Sequence, residues 1–128
     1  MTTLELLKLD RTGLETYDYI VNNLDGCEEN MPFLTENLLR ADSNGPFLTS
    51  TAIFLNSVDK EQFKIWIDKM VKGAIDKDRE RRYIGLLLEA LWGPDYSEKS
   101  EILNAADDNF RRIYKRIFPK SAGKTETI

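Results

Sequence analysis

The chain has 128 residues, a formal net charge of −4 and 41% apolar residues, which is the size and composition of one ordinary folded domain. It contains no histidine and a single cysteine, Cys27. Without histidine, Ser-His-Asp and Cys-His relays and His-containing zinc sites are excluded. No stretch approaches the roughly 18 to 20 apolar residues needed to cross a bilayer, so we expect no membrane partner.

The cellular location is predicted from the N-terminus and the cysteine. The first residues contain no basic segment followed by a sustained apolar stretch, which argues against a secretory signal. Cys27 has no second cysteine to pair with in this chain, which favours a reducing compartment. The sequence therefore predicts a cytoplasmic protein.

Apolar residues recur at spacings of three and four along most of the chain, and alternating runs of β-branched residues are lacking. This pattern predicts an all-α protein of five to six helices, with residues 1–118 as a single helical domain. Residues 119–128 are small, polar and charged, and we expect a flexible tail there. Two of the later helices are predicted at 79–92 and 97–118, the second as one long helix.

Short connections between helices favour antiparallel neighbours, so the expected architecture is a compact bundle or a short stack of helical hairpins. The segments 47–75 and 79–118 share a helix-turn-helix outline at a spacing near that of helical solenoids. The sequence shows us no residue-level pattern common to both segments. The bundle and the stack both stay open.

Two acidic pairs, Glu28-Glu29 and Asp107-Asp108, begin like the magnesium motifs of helical hydrolases. The fifth position of each motif should be acidic, but here it is Pro32 or Arg111. Carboxylates beside Cys27 should raise the pKa of its thiol and make it a poor nucleophile. We therefore predict no catalytic residue, no metal ligand and no cofactor, and we rank a magnesium-dependent all-α hydrolase lowest among the alternatives.

Positive charge is concentrated late in the chain. Residues 1–63 contain 4 basic and 11 acidic side chains, whereas residues 64–128 contain 14 and 11. One cluster lies on the predicted last helix, opposite an apolar stripe that includes Ile113 and Ile117. A second cluster lies at the predicted start of a helix, where the positive helix end disfavours cations. The candidate residues in these clusters are Arg111, Arg112, Lys115 and Arg116, and Arg79, Arg81 and Arg82.

These cations are either solvated helix faces or a binding surface for phosphates or an acidic protein. Trp92 and Tyr96 flank Gly93-Pro94 at the end of a predicted helix. Half-exposed aromatic residues in such a place either anchor a partner or plug one end of the fold.

The function that these features favour is a non-catalytic helical protein-interaction module, with a protein partner or a second copy of the chain as its ligand. The alternative is a nucleic-acid-binding or regulatory protein that uses the basic C-terminal helix. Overall acidity disfavours nucleic acid.

Overall fold

The computed structural model describes residues 1–119, and these residues form nine α-helices, a 3-10 turn at Glu28–Asn30 and no β-strand. The helices are α1 (Thr3–Leu7), α2 (Leu14–Asn22), α3 (Leu24–Cys27), α4 (Met31–Ala41), α5 (Pro46–Asp59), α6 (Lys64–Lys77), α7 (Leu86–Trp92), α8 (Ser100–Ala106) and α9 (Asp108–Ile117). The all-α prediction is confirmed, and the helices are more numerous than the five to six expected. Apart from Pro119, the predicted tail lies outside the described residues.

Three helix pairs stack side by side after α1. Unit 1 (residues 10–41) contains α2 and α4, unit 2 (residues 42–77) contains α5 and α6, and unit 3 (residues 78–118) contains α7 and α9. The first helices contact one another in the order α2, α5, α7, and the second helices in the order α4, α6, α9. Two parallel rows of this kind make a short helical solenoid, so the stack of hairpins describes the fold better than a bundle.

Each unit begins with a buried aspartate, namely Asp10, Asp42 or Asp78. Asp42 accepts four hydrogen bonds of 2.8 to 3.2 Å from the backbone N–H groups two, three, five and six positions later. Asp10 accepts three such bonds, from the groups two, three and six positions later, and Asp78 accepts three, from the groups four, five and six positions later. The carboxylate thus satisfies N–H groups that have no partner within the following helix, and its charge suits the positive helix end.

The third residue after each of these aspartates has a left-handed backbone, with φ of 99° at Gly13, 96° at Gly45 and 59° at Arg81. Glycine adopts this conformation without a steric penalty. A Cβ on Gly13 would lie 3.2 Å from Cβ of Asp42, and a Cβ on Gly45 would lie 3.4 Å from Cβ of Asp78. The turns therefore stack directly on one another. Within residues 1–119 no fourth turn of this kind stacks on the turn at Arg81, which leaves room for a side chain there.

A second contact also repeats at each junction. The carbonyl group three residues before each turn aspartate accepts a hydrogen bond from a side chain of the next unit, which satisfies the end of the preceding helix. The pairs are Asn37 Nδ2 to Leu7 at 2.7 Å, Lys77 Nζ to Leu39, and Arg116 Nη1 to Ile75 at 2.6 Å. The three donors differ in residue type, so this repeat is one of contacts, and the turn aspartates lie just before the segments 47–75 and 79–118 compared in the sequence.

The core lies between the two rows of helices as one continuous apolar cluster. Its largest fully buried side chains include Ile20, Met31, Leu34, Leu38, Leu48, Leu55, Phe63, Met70, Ile75, Ile84, Leu87 and Phe110. Burial of each such side chain contributes about 1.5–3 kcal/mol. The stripe predicted on α9 is part of this core, since Ile113 is fully buried and Ile117 packs against the cluster.

Two predicted helices differ from the structure. The segment 97–118 is two helices, because Asp107 leaves the helical conformation and its carboxylate accepts the N–H of Phe110 at 3.1 Å. The segment 79–92 becomes α-helical only at Leu86, because the carboxylate of Asp78 accepts the N–H groups of the residues four, five and six positions later. In both places an aspartate side chain replaces the helical carbonyl as the acceptor.

Candidate functional site

Five cations line one cleft at the open end of unit 3. This basic cleft has a volume of about 760 Å³ and is lined by Arg81, Arg111, Arg112, Lys115 and Arg116 together with Asp108 and Pro119. The structure thus brings Arg81, but neither Arg79 nor Arg82, to the four cations of the cluster on the last helix. Asp108 is the one acidic side chain that lines the cleft among the described residues.

The cations of α9 are held in place by the opposite face of the same helix. Phe110 and Ile113 on that face are fully buried in the core. Since residues three and four apart share a helix face, the positions between these anchors turn toward solvent. The predicted cationic band is therefore present, and packing beneath it fixes its orientation.

Two of the five cations are occupied in packing the units together. Arg116 donates to the carbonyl oxygen of Ile75 at 2.6 Å and lies 3.5 Å from that of Asp78. Arg112 forms a 3.0 Å ion pair with Asp76, and its own side chain is only 33% exposed. Arg112 and Arg116 therefore stabilise the packing of unit 3 on unit 2, and they also contribute positive charge to the cleft.

The other three cations have weaker interactions within the protein and are more available to bind a ligand. Arg111 pairs with Asp108, but both side chains are about half exposed, and exposed pairs of this kind contribute only about 0–1 kcal/mol. Lys115 is exposed and has no ion pair or side-chain hydrogen bond within residues 1–119. Arg81 is exposed, and within residues 1–119 its guanidinium makes one long hydrogen bond, 3.5 Å, to the carbonyl oxygen of Arg116.

Arg81 is unusual in its backbone as well as its charge. A left-handed conformation costs a residue other than glycine about 1–2 kcal/mol. The equivalent positions of units 1 and 2 are Gly13 and Gly45, so the chain places arginine where its own repeats use glycine. Residues held in such sparsely populated conformations are concentrated at functional sites. This strain is a reason, independent of charge, to assign Arg81 to the site.

Arg79 and Arg82 do not join the basic cleft. They line a separate mixed-charge pocket with the acidic residues Asp76, Asp78 and Glu80. Arg82 forms a 2.8 Å ion pair with Glu80, and both side chains are well exposed. The two clusters seen in the sequence therefore meet only through Arg81.

Trp92 and Tyr96 are half-buried parts of the packing around Phe110. The indole Nε1 of Trp92 donates to Oδ2 of Asp107 at 2.9 Å, and its ring packs edge-on against Phe110 with centroids 5.2 Å apart. The ring of Tyr96 lies 6.3 Å from the same phenylalanine. These contacts fit the interpretation that both residues plug one end of the fold.

Trp92 also lines a groove of about 520 Å³ between the start of α6 and the end of α7. We call this the Trp92 groove. Its lining includes Lys60, Lys64, Ile65, Leu91, Trp92 and Asn109. Of these residues, sequence reasoning identified only Trp92. One residue in the sequence could have indicated this groove: Ile65 is an isoleucine that lies outside the buried stripe of α6.

Sequence reasoning also missed the turn aspartates. Asp10 and Asp42 each precede a glycine by three residues, and Asp78 holds the same place before Arg81. The spacings of 32 and 36 residues between these aspartates were visible in the sequence. The third copy was obscured because arginine replaces glycine.

Cys27 is fully buried and lines neither the basic cleft nor the Trp92 groove. Burial raises the pKa of its thiol, and the neighbouring charge of Glu28 raises it further. Such a thiol is a weak nucleophile near neutral pH. Within residues 1–119, no three or more Cys, Asp or Glu side chains lie together in a way that could hold a metal ion. In the same residues, no helix is long and apolar enough to cross a membrane.

Comparisons with known proteins give no match: no family model fits the chain, and no curated protein or solved structure is significantly similar to it. The geometry of the two surfaces is therefore the basis of the functional proposal.

Proposed function

We propose that this protein is a non-catalytic binding module whose basic cleft binds an acidic segment of a partner protein. The observation that supports this most directly is the convergence of Arg81, Arg111 and Lys115 on one cleft with a single acidic lining residue. Arg81 and Lys115 are positively charged and form no ion pair within residues 1–119. An anionic ligand would supply the negative charge that they lack.

Carboxylates match this donor set. Arginine presents its N–H groups in a planar fork that suits a carboxylate, and charge-assisted bonds of this kind are the stronger hydrogen bonds of proteins. Unit 1 contains 2 basic and 7 acidic side chains, whereas unit 3 contains 8 of each, so the positive charge of unit 3 is local to the basic cleft. A local positive surface of this kind attracts an acidic partner and speeds its association.

Nucleic-acid binding is the second candidate, because the same cations could contact phosphates. Arg111 and Arg116 are separated by about 7.5 Å along the helix, at 1.5 Å per residue. Proteins that bind duplex DNA strongly neutralise about six to ten phosphates. Here Arg112 and Arg116 are engaged within the fold and the first half of the chain is acidic, so the cleft suits a short acidic peptide better. A second copy of the chain, with its acidic first half, is a weaker candidate ligand.

The proposal includes no catalytic role. Histidine is missing, and the thiol of Cys27 is buried with a raised pKa. For the location of the protein we propose a reducing compartment such as the cytoplasm, since its one cysteine is a free buried thiol.

Binding of a fluorescently labelled oligoglutamate peptide, followed by anisotropy at low salt, tests this function. We expect the triple variant Arg81→Ala, Arg111→Ala, Lys115→Ala to bind the peptide at least about tenfold more weakly, equivalent to about 1.4 kcal/mol. The matched control is Lys8→Ala, Arg11→Ala, Lys99→Ala, which removes the same charge at exposed positions outside the cleft.

Equal loss of binding in the two triple variants would reject the cleft as the site, since a general charge effect would then explain the interaction. A short DNA duplex that binds more tightly than oligoglutamate, and loses that binding in the cleft variant, would establish the second candidate instead.

A further inference from the structure

Asp108 occupies one of the cations of the basic cleft. Its Oδ1 accepts a hydrogen bond from Nη2 of Arg111, three residues later on α9. Both residues line the cleft, and among residues 1–119 Asp108 is its one acidic lining residue. A ligand that enters the cleft therefore meets a cation, Arg111, that already has a carboxylate partner within the protein.

Other carboxylates near the cleft are bound elsewhere. Asp107, the residue before Asp108, accepts a backbone N–H of α9 and the indole N–H of Trp92. Asp76 pairs with Arg112 at 3.0 Å and lines the mixed-charge pocket. Neither of these two aspartates lines the basic cleft. Asp108 is thus the carboxylate that lies where an acidic ligand would bind.

The pair between Asp108 and Arg111 is held loosely. The side chain of Asp108 is 60% exposed and that of Arg111 is 49% exposed, so water weakens their attraction. Within residues 1–119 the carboxylate of Asp108 accepts no second hydrogen bond. The pair between Arg112 and Asp76 differs, because packing leaves the side chain of Arg112 only 33% exposed. A ligand can therefore displace Asp108 from Arg111 without disturbing the packing of the units.

The hydrogen bond also occupies the end of Arg111 that a ligand would use. Nη2 is one of the two terminal nitrogens of the guanidinium, which together form a planar fork that suits a carboxylate. While Nη2 donates to Asp108, a ligand carboxylate must share or displace this partner in order to use both terminal nitrogens. Arg81 and Lys115 form no ion pair within residues 1–119, so they have no competitor of this kind.

We propose that Asp108 is an internal competitor of the acidic ligand and limits the affinity of the basic cleft by occupying Arg111. This inference rests on the proposed function of the cleft, and it assigns a role in binding to the acidic residue of the lining. A bound acidic segment takes the place of the Asp108 carboxylate on Arg111, and Asp108 turns to solvent. Because exposed ion pairs are weak, the competition lowers the affinity by about two- to fivefold.

Titrations of the full chain with fluorescently labelled oligoglutamate, followed by anisotropy, test this role. Asp108→Asn removes the charge with little change in size, and we expect it to bind the peptide about two- to fivefold more tightly than the wild type. The matched control is Asp95→Asn. Asp95 is 54% exposed and pairs with Lys99 at 3.3 Å in the same unit, but it does not line the cleft. We expect the control to change the affinity by less than about 1.5-fold.

A double-mutant cycle separates competition for Arg111 from general repulsion between Asp108 and the ligand. Arg111→Ala removes the cation for which Asp108 competes. In that background, Asp108→Asn should change the affinity by less than about 1.5-fold. General repulsion would instead give the same improvement with or without Arg111. Thermal unfolding of each variant checks that it is folded at the temperature of the titration.

The inference is overturned if Asp108→Asn leaves the affinity unchanged or lowers it. A lower affinity would show that Asp108 orients Arg111 for the ligand. Equal improvement in the wild-type and Arg111→Ala backgrounds, or equal improvement in Asp95→Asn, also overturns it.

Failure of the proposed function gives a different result. If oligoglutamate binds the wild type and the Arg81→Ala, Arg111→Ala, Lys115→Ala variant loses that binding, the function stands, and an unchanged affinity in Asp108→Asn rejects this inference alone. If oligoglutamate binds neither the wild type nor Asp108→Asn, both proposals are rejected.

Discussion

Arg116 donates a hydrogen bond of 2.6 Å from Nη1 to the carbonyl oxygen of Ile75, so a residue that lines the basic cleft also fastens unit 3 to unit 2. Lys77 makes the corresponding contact one junction earlier, to the carbonyl oxygen of Leu39. The geometry of the cleft therefore depends on how the units stack. Substitutions in the cleft will separate into those that alter stability and those that alter binding alone.

Arg116→Ala should lower the free energy of unfolding by about 1.5–3 kcal/mol, the range for a hydrogen bond to a charged group. Lys115→Ala removes a neighbouring exposed cation and should change it by less than about 0.5 kcal/mol. Urea denaturation of both variants measures the difference. Equal effects of the two substitutions would show that the contact with Ile75 does not stabilise the stack.

Arg81→Gly should stabilise the protein while weakening its binding of acidic peptide. Glycine removes the cost of the left-handed backbone, about 1–2 kcal/mol, and gives back part of it through the greater freedom of the unfolded chain. We expect a net gain of up to about 1 kcal/mol in the free energy of unfolding, measured by urea denaturation, together with a loss of affinity for oligoglutamate.

The opposite change at an equivalent turn is the control for Arg81→Gly. In Gly13→Ala, the new Cβ would meet Cβ of Asp42 at 3.2 Å with φ at 99°, so this variant should lose more than about 1 kcal/mol of stability. If Arg81→Gly destabilises the protein, the arginine makes a stabilising contact that outweighs its backbone strain, and the assignment of that strain to binding is wrong.

Asp42→Asn should lower the free energy of unfolding by about 3 kcal/mol, because the buried carboxylate accepts four backbone N–H groups and an amide presents only one acceptor oxygen to them. Asp108→Asn makes the same chemical change on a side chain that is 60% exposed and should cost less than about 0.5 kcal/mol. Chemical denaturation at neutral pH compares them. A small effect at Asp42 would mean that the turn is held by the chain conformation without the carboxylate.

Stability should fall in acid partly because of Asp10. Burial raises the pKa of its carboxyl, but the hydrogen bonds from Thr16, Gly13 and Thr12 outweigh burial and hold the pKa below its ordinary value. The unfolded chain therefore binds a proton at a higher pH than the folded chain. The contribution of Asp10 is complete above the unfolded pKa of about 3.9, and it is lost as pH falls through the lower folded pKa.

Unfolding free energies measured from about pH 6 to pH 3 test this linkage. Asp10→Asn should flatten the decline in stability in acid relative to the wild type, whereas Asp18→Asn, a matched change at an exposed position, should keep the wild-type slope. An unchanged slope in Asp10→Asn would show that the turn hydrogen bonds do not favour the charged carboxyl.

Local features of the fold could be predicted because they depend on neighbours in the chain. The stripe of Phe110, Ile113 and Ile117 predicts the buried face of α9, and it therefore predicts the cationic band opposite. The break at Asp107 could not be read from the period, because it depends on a side chain that accepts a backbone N–H and the indole N–H of Trp92. A hydrogen bond to a residue distant in the chain does not change the spacing of the apolar residues, so that spacing cannot predict it.

By itself, the sequence determined that the protein is helical, where most of its apolar stripes lie, and that histidine chemistry is excluded, because periodicity and residue identity are local properties. The tertiary structure decided which cations share a surface. Arg81 joins Arg111 and Lys115, while Arg79 and Arg82 turn to another pocket, because the left-handed turn after Asp78 and the stacking of unit 3 on unit 2 set their directions. The same stacking brought Ile65 and Trp92 into the lining of one groove, and no spacing along the chain encodes that arrangement.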